Sequence, residues 1–344
     1  MSIVVGLAPG QDNRAAVELG IVLARTYRRR IVATAVDSAA FPIAPVHFES
    51  QYEKRFRTVA EAALDEARAL IPSDIESECV LHSARSSRRG LLEMCERTDA
   101  YRLVVGPSAE GESGKIALGS VSNGLLHSAR LPVALAPAGF QAPAGARLER
   151  ITAAYSGSST SADLILGAAM VSAESDVAFR IASFAPRSRV VASANVPFDM
   201  ESRVIDEWTK TVQRDTDKIL CSIEQLHIKP GETDVVVGTG ADWAAALRAV
   251  EWKHPEVMML GSSGLGALKR VSLGSHAMRI LQNSPVDRRR APPCEGRLHP
   301  PAGRVTVELG GRFDARGCPM LEQFQINAGS LASLSAAHNV VAWS

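Results

Sequence analysis

Short, continuously apolar runs alternate along the chain with longer stretches whose apolar residues fall on one side of a helix. Ile3–Leu7 is the first run and ends in the breaker Ala8-Pro9-Gly10. Ala16, Val17, Leu19, Gly20, Leu23 and Ala24 then share a helix face, with Asp12 or Asn13 placed to cap it. Ile31–Val36 is a second run, and Phe56, Val59, Ala60, Ala63, Leu64, Ala67 and Leu70 keep helical spacing. A strand at Glu78–Leu81, a helix at Arg89–Arg97, a strand at Leu103–Val105, a helix at Val121–Ala129 and a strand at Val133–Ala136 complete the unit. Apolar strands with no polar alternation, separated by amphipathic helices, predict a parallel sheet covered on both faces.

The order then repeats. Ile151–Tyr155 reads as a strand, Ser156–Ser161 as a hydroxyl-rich turn and helix cap, and Asp163–Glu174 as a helix. Val177–Phe184 is a strand, followed by a long helix with Val204, Ile205, Trp208, Val212, Ile219, Ile223 and Leu226 facing inward. Asp234–Gly238, a helix around Trp243–Val250, and the strand Val257–Leu260 follow, with Gln141–Arg147 as a linker between the copies. The pattern predicts two tandem doubly wound domains over 1–140 and 148–287, each burying its own core.

The copies diverge at their ends. Leu131–Pro137 gives the first a final apolar strand, but the matching place in the second reads Ser284-Pro-Val-Asp-Arg-Arg-Arg290. Three arginines in a buried strand would cost on the order of several kcal/mol each. The second sheet is therefore expected to lack its last strand and to expose an edge. Codons such as GAC-CGT-CGT-CGT for Asp287–Arg290, read one base out of frame, give Thr-Val-Val-Val and would restore the strand. Residues 288–344 are thus expected to be an irregular or disordered tail, either a frame-shift product or a genuine extension.

Composition narrows the function. The 344 residues carry a net charge of only +1, which argues against a nucleic-acid partner met through a broad basic face. No N-terminal signal and no apolar stretch of about 20 residues is present, so a cytoplasmic protein with no membrane partner is expected. Cys79, Cys95, Cys221, Cys294 and Cys318 form no CxxC pair and read as reduced thiols. The histidines show no paired spacing for a metal. Arg28–Arg30, between a helix end and a strand, reads as a solvated face that complements the helix dipole.

The candidate chemistry lies after each fourth strand. Gly261-Ser-Ser-Gly264, nine residues, then Gly274-Ser275 place glycines where backbone amides can approach an anion, with a helix N-terminus behind them. The first copy reads Gly106-Pro-Ser-Ala109, nine residues, then Gly119-Ser120, with alanine in place of the second glycine and Pro107 lacking an amide.

This spacing, with Leu-Gly-Ser at the loop's end in both copies, resembles the universal stress protein family in its tandem form over residues 1–286. The resemblance implies two parallel five-stranded α/β sheets in the order 3-2-1-4-5, with nucleotide at the carboxyl ends of the strands. It assigns Gly261, Gly264, Gly274 and Ser275 to an ATP-binding loop, with or without magnesium, and Ser262 lies within that loop. His276, next to Ser275, is either a further phosphate contact or an ordinary surface histidine. Gly106, Gly119 and Ser120 are the weaker match in the first domain. Family members that bind nucleotide carry an aspartate at the end of the first strand, whereas this chain has Ala8 and Ser156 there. A lost charged-acceptor bond is worth about 1.5–3 kcal/mol, or one to two decades of affinity. Phe184 would supply the main-chain contact to the base. The expected function is a stress-response regulator binding an adenine nucleotide mainly in the second domain, with no catalytic residues. The alternatives are a nucleotide-free scaffold that forms a homodimer or holds another protein through the exposed edge, and, ranked last, a slow ATPase.

Overall fold

The computed structural model describes residues 1–38, 46–108, 116, 118–187, 198–263, 272–273, 275–284 and 338–343. The first repeat runs β1 (Ser2–Leu7), α1 (Arg14–Tyr27), β2 (Arg30–Asp37), α2 (Val46–Leu70), β3 (Ser77–Ser83), α3 (Ser87–Arg97), β4 (Ala100–Val105), α4 (Ser120–Ser128) and β5 (Val133–Leu135). The second runs β6 (Arg150–Ala154), α5 (Ser159–Ser175), β7 (Ala178–Pro186), α6 (Phe198–Gln225), β8 (Thr233–Gly240), α7 (Trp243–Arg248), β9 (Glu256–Ser263), β10 (Ser272–Leu273) and α8 (Ser275–Asn283). One further strand, β11 (His338–Trp343), lies near the C-terminus.

Packing divides these elements into two compact units: the described parts of residues 1–149, 252–287 and 338–344 form one, and those of 150–251 the other. In the first unit β3-β2-β1-β4-β5 are all parallel, with Val4 opposite both Val32 and Leu103, and Val104 opposite Ala134. Ile3, Val4, Ile31, Val32, Leu103, Val104, Val133 and Ala134 are all fully buried, as a sheet covered on both faces requires. Helix α1 approaches β1 so closely that a Cβ on Gly20 would stand 2.5 Å from Val5 Cγ2, which is why glycine occupies that turn. In the second unit β6, β7 and β8 are parallel, with Ile151 opposite Phe179 and Ile181 opposite Val235. The second repeat thus supplies, among the described residues, four long strands, β6 to β9, and the two-residue β10, where the first has the five strands β1 to β5. Among the described residues no counterpart of β5 follows α8.

The local signals behave as their chemistry dictates. Both α1 and α5 end on a left-handed residue other than glycine, Arg28 and Asp176, each at φ 53°. The turn at Ser156–Ser161 is a helix cap, as expected: Ser158 and Ser161 form a reciprocal capping box at the start of α5. Asp12 and Asn13 divide the work that either could have done at α1. The Arg14 amide donates to Asp12 Oδ1 at 2.9 Å, while Asn13 stitches the preceding loop.

Buried charge is compensated differently in the two units. Arg102 is 1% exposed and donates to the Tyr101 carbonyl at 2.9 Å, with its guanidinium over the rings of Tyr101 and Tyr27. Burial pushes the Tyr27 hydroxyl up to about 12, so it stays neutral beside that cation. Arg180 instead grips Asp234 Oδ2 from two nitrogens at 2.8 and 2.6 Å and donates to the Glu251 carbonyl at 2.7 Å. Among the described residues no helix is long and apolar enough to cross a membrane.

Candidate nucleotide loops

In the first repeat the loop leaves the sheet at the end of β4. Gly106, Pro107 and Ser108 lie outside the strand. Gly119, extended at φ −75° and ψ 172°, caps α4, and Ser120 is the first helical residue. A Cβ on Gly119 would sit 3.7 Å from Cβ and Oγ of Ser108, so the way out of β4 faces the start of α4. Residues 109–115, including Ala109, lie outside the described residues. At the end of β1 the Ala8 amide donates to Asn13 Oδ1 at 2.7 Å, and Asn13 Nδ2 returns bonds to the carbonyls of Ala8 and Gln11 at 3.1 and 3.0 Å. Asn13 is nearly buried, so its amide group is spent on closing this loop.

The second loop differs from its expected form. The apolar pattern ends the fourth strand at Leu260, yet β9 continues through Gly261 and Ser262 to Ser263. Two partners account for the extension. Gly261 stands opposite His338 of β11, and Ser262 and Ser263 stand opposite Leu273 and Ser272 of β10. The two ends of the loop are therefore zipped together as an antiparallel hairpin. Ser275 is the exposed first residue of α8, followed by His276, also exposed. Gly264 and Gly274 lie outside the described residues.

Ser156 and Phe184 belong to the other unit. Ser156 follows β6, with its amide donating to Ser161 Oγ at 3.3 Å and its hydroxyl 3.2 Å from Ser158 Oγ. Gly157 next to it sits at φ +78°, and a Cβ there would lie 3.0 Å from Cη2 of Trp208. Gly10 holds the same place in the first repeat at φ +77°, with Val59 Cγ1 at 3.5 Å. Phe184 lies in β7 opposite Gly238, and a Cβ on Gly238 would be 2.9 Å from the Phe184 ring.

What these loops offer is backbone amides, hydroxyls and the N-terminus of a helix. The described residues hold no cluster of His, Cys, Asp and Glu arranged for a metal ion. Burial pushes the Cys95 thiol up to about 12 and raises that of Cys79, so neither is an activated nucleophile. Sequence reasoning missed β10 and β11. A two-residue strand carries no period to find. For β11 the signal was the short run Val340–Trp343, set in a tail with no pattern around it.

The family model described as the universal stress protein family matches the chain twice, over residues 1–137 and 147–287. A universal stress protein of Mycobacterium tuberculosis is 29% identical over 293 residues, covering 83% of this chain and 98% of that protein. A counterpart from Mycobacterium bovis matches to the same extent. Among solved structures, a universal stress protein from Archaeoglobus fulgidus aligns with a TM-score of 0.51 at 17% identity, covering 83% of this chain and 96% of that one.

Proposed function

The chain belongs to the universal stress protein family, and from that premise we propose that it is a regulator that binds ATP through the loop of its second repeat. The observation that carries this reading is a strand that runs through Gly261 to Ser263 and a helix whose first residue, Ser275, is exposed. A helix N-terminus carries about half a unit of positive charge, and its first amides are free to meet a phosphate oxygen. Ser275 would add its hydroxyl to the phosphate contacts of that helix start. Magnesium would enter with the triphosphate, since the described residues form no metal cluster of their own. Regulation follows by linkage: nucleotide shifts the population of whichever partner-binding state it binds more tightly. No turnover is required, and the protein works in the cytoplasm.

The rival scaffold reading offered the open edge left by the missing fifth strand as one example of an association surface. Strand β11 pairs along that edge of β9, so association would have to use another surface. The test is to denature freshly purified protein and identify and quantify any released nucleotide by chromatography and mass spectrometry. About one ATP per chain is expected. No nucleotide released, together with no binding of added ATP, would end the proposal.

A further inference from the structure

We propose that β11 is a detachable strand that closes the second loop, competing with nucleotide for the backbone of Gly261–Ser263. The inference rests on the reading of that loop as a nucleotide site and adds its regulation.

The first observation is the slot. β11 lies between β5 and β9, where a fifth strand of the second repeat would lie, but it runs the other way. It is parallel to β5 and antiparallel to β9, whereas β5 itself is parallel to β4. The slot is therefore filled by a segment that reaches it from the far end of the chain.

The second observation is the register. β11 pairs with β5 at only two positions, Val340 with Ala134 and Val341 with Leu135. With β9 it pairs at six, from Trp343 opposite Glu256 to His338 opposite Gly261. The ladder thus ends on the first glycine of the loop, and β10 continues the pairing to Ser262 and Ser263. In the first repeat, among the described residues, no strand pairs with the chain beyond Val105, and Gly106 has left the sheet.

The chemistry makes the two states exclusive. A phosphate loop turns successive amides to one side to form a concave donor set. In a β-strand, successive amides alternate between the two neighbours. Gly261–Ser263 cannot do both at once. Whatever β11 contributes to the extended form must be returned when nucleotide binds, and by reciprocity bound nucleotide loosens β11 by the same factor. Allosteric couplings are typically 5–150-fold, so release of β11 should tighten ATP binding on the order of tenfold or more.

The experiment uses the full chain and two variants, Val340→Pro, which removes a ladder amide mid-strand, and His338→Pro, which acts only at the Gly261 end. Far-UV circular dichroism confirms that each is folded. Hydrogen exchange at residues 257–263 is read first, without nucleotide, and then ATP is titrated by calorimetry. The expected result is exchange at least about tenfold faster in both variants, with ATP bound about tenfold more tightly. In the full chain, saturating ATP should speed exchange at 338–343. Unchanged exchange in both variants would show that β11 does not close the loop. Faster exchange with equal or weaker ATP binding would refute the competition. Faster exchange with no ATP bound by any form would overturn the nucleotide reading and the competition with it, while leaving the closure of the ladder in place.

Discussion

In the first repeat the fourth strand stops at Val105 and Gly106 lies outside the ladder, whereas the fourth strand of the second continues through Gly261 to Ser263. Both segments are an apolar run and then a glycine, but Pro107, which has no amide, follows in the first where Ser262 follows in the second. The neighbouring strands differ as well. β5 meets β4 only from Leu103 to Val105, while β11 reaches Gly261 and β10 takes over from there. The better glycine loop is thus the one whose first residues, Gly261–Ser263, are engaged in a ladder, whereas Gly106–Ser108 of the eroded one are outside the strand. A motif match reports what a loop can do when free, and the strands around it set how often it is free.

The largest test of this comparison is to block each helix start in turn. Gly274→Trp should lower ATP affinity by at least about 100-fold, close to 3 kcal/mol, by putting a bulky side chain on the residue that precedes Ser275 in sequence. Gly119→Trp should leave both affinity and stoichiometry unchanged. Gly119 has an ordinary negative φ, and among the described residues a Cβ there would meet Ser108 alone, at 3.7 Å, so a side chain is tolerated. Calorimetric titration of both variants decides it. Loss of binding in the Gly119 variant alone would reverse the ranking of the repeats.

The loops after β1 and β6 are closed by different chemistry, and this predicts unequal stabilities. Asn13→Ala removes an acceptor at 2.7 Å and leaves the Ala8 amide without its partner in a nearly closed loop. It should cost about 2 kcal/mol. Ser161→Ala removes a bond donated to the Ser158 carbonyl at 2.7 Å and two accepted from the amides of Ser156 and Ser158 at 3.3 and 3.1 Å. Ser158 is exposed, however, and water can replace its partner, so the change should cost about 1 kcal/mol. Urea unfolding midpoints measure both. Equal losses would mean that the two loops are held alike.

Much of this architecture is legible in the sequence because the strands are buried on both faces. Ile3–Leu7 and Ile31–Val36 carry no polar alternation, and only a covered parallel sheet accounts for that. The hydroxyl-rich cap of α5 was equally legible, since Ser158 and Ser161 act on their own local backbone. What was hidden depends on distant partners. The extension of β9 needs β11, which is remote in sequence, and Trp208 reads as a core residue of α6 until Gly157 is seen beneath its indole. Asp12 and Asn13 are both good caps by type, and only the geometry separates the one that caps from the one that ties the loop.

The smallest effect concerns a tie found in the first repeat. Glu93 of α3 accepts from Arg89 Nε at 2.7 Å and lies 2.9 Å from Nε2 of His82 in β3. The Arg89 hydrogen bond first, and then that of His82, hold its carboxyl below the ordinary glutamate range. A depressed folded-state value means that the stabilisation is present above the unfolded value, about 4.3, and is lost as pH falls through the folded value. Glu93→Gln should therefore be less stable than the parent near neutrality, and the gap should close between about pH 5 and pH 3. The group is exposed, so the gap will be slight and will shrink further in high salt. Thermal melts of the pair across that range test it. A gap that persists unchanged at pH 3 would mean that Glu93 acts through packing rather than charge.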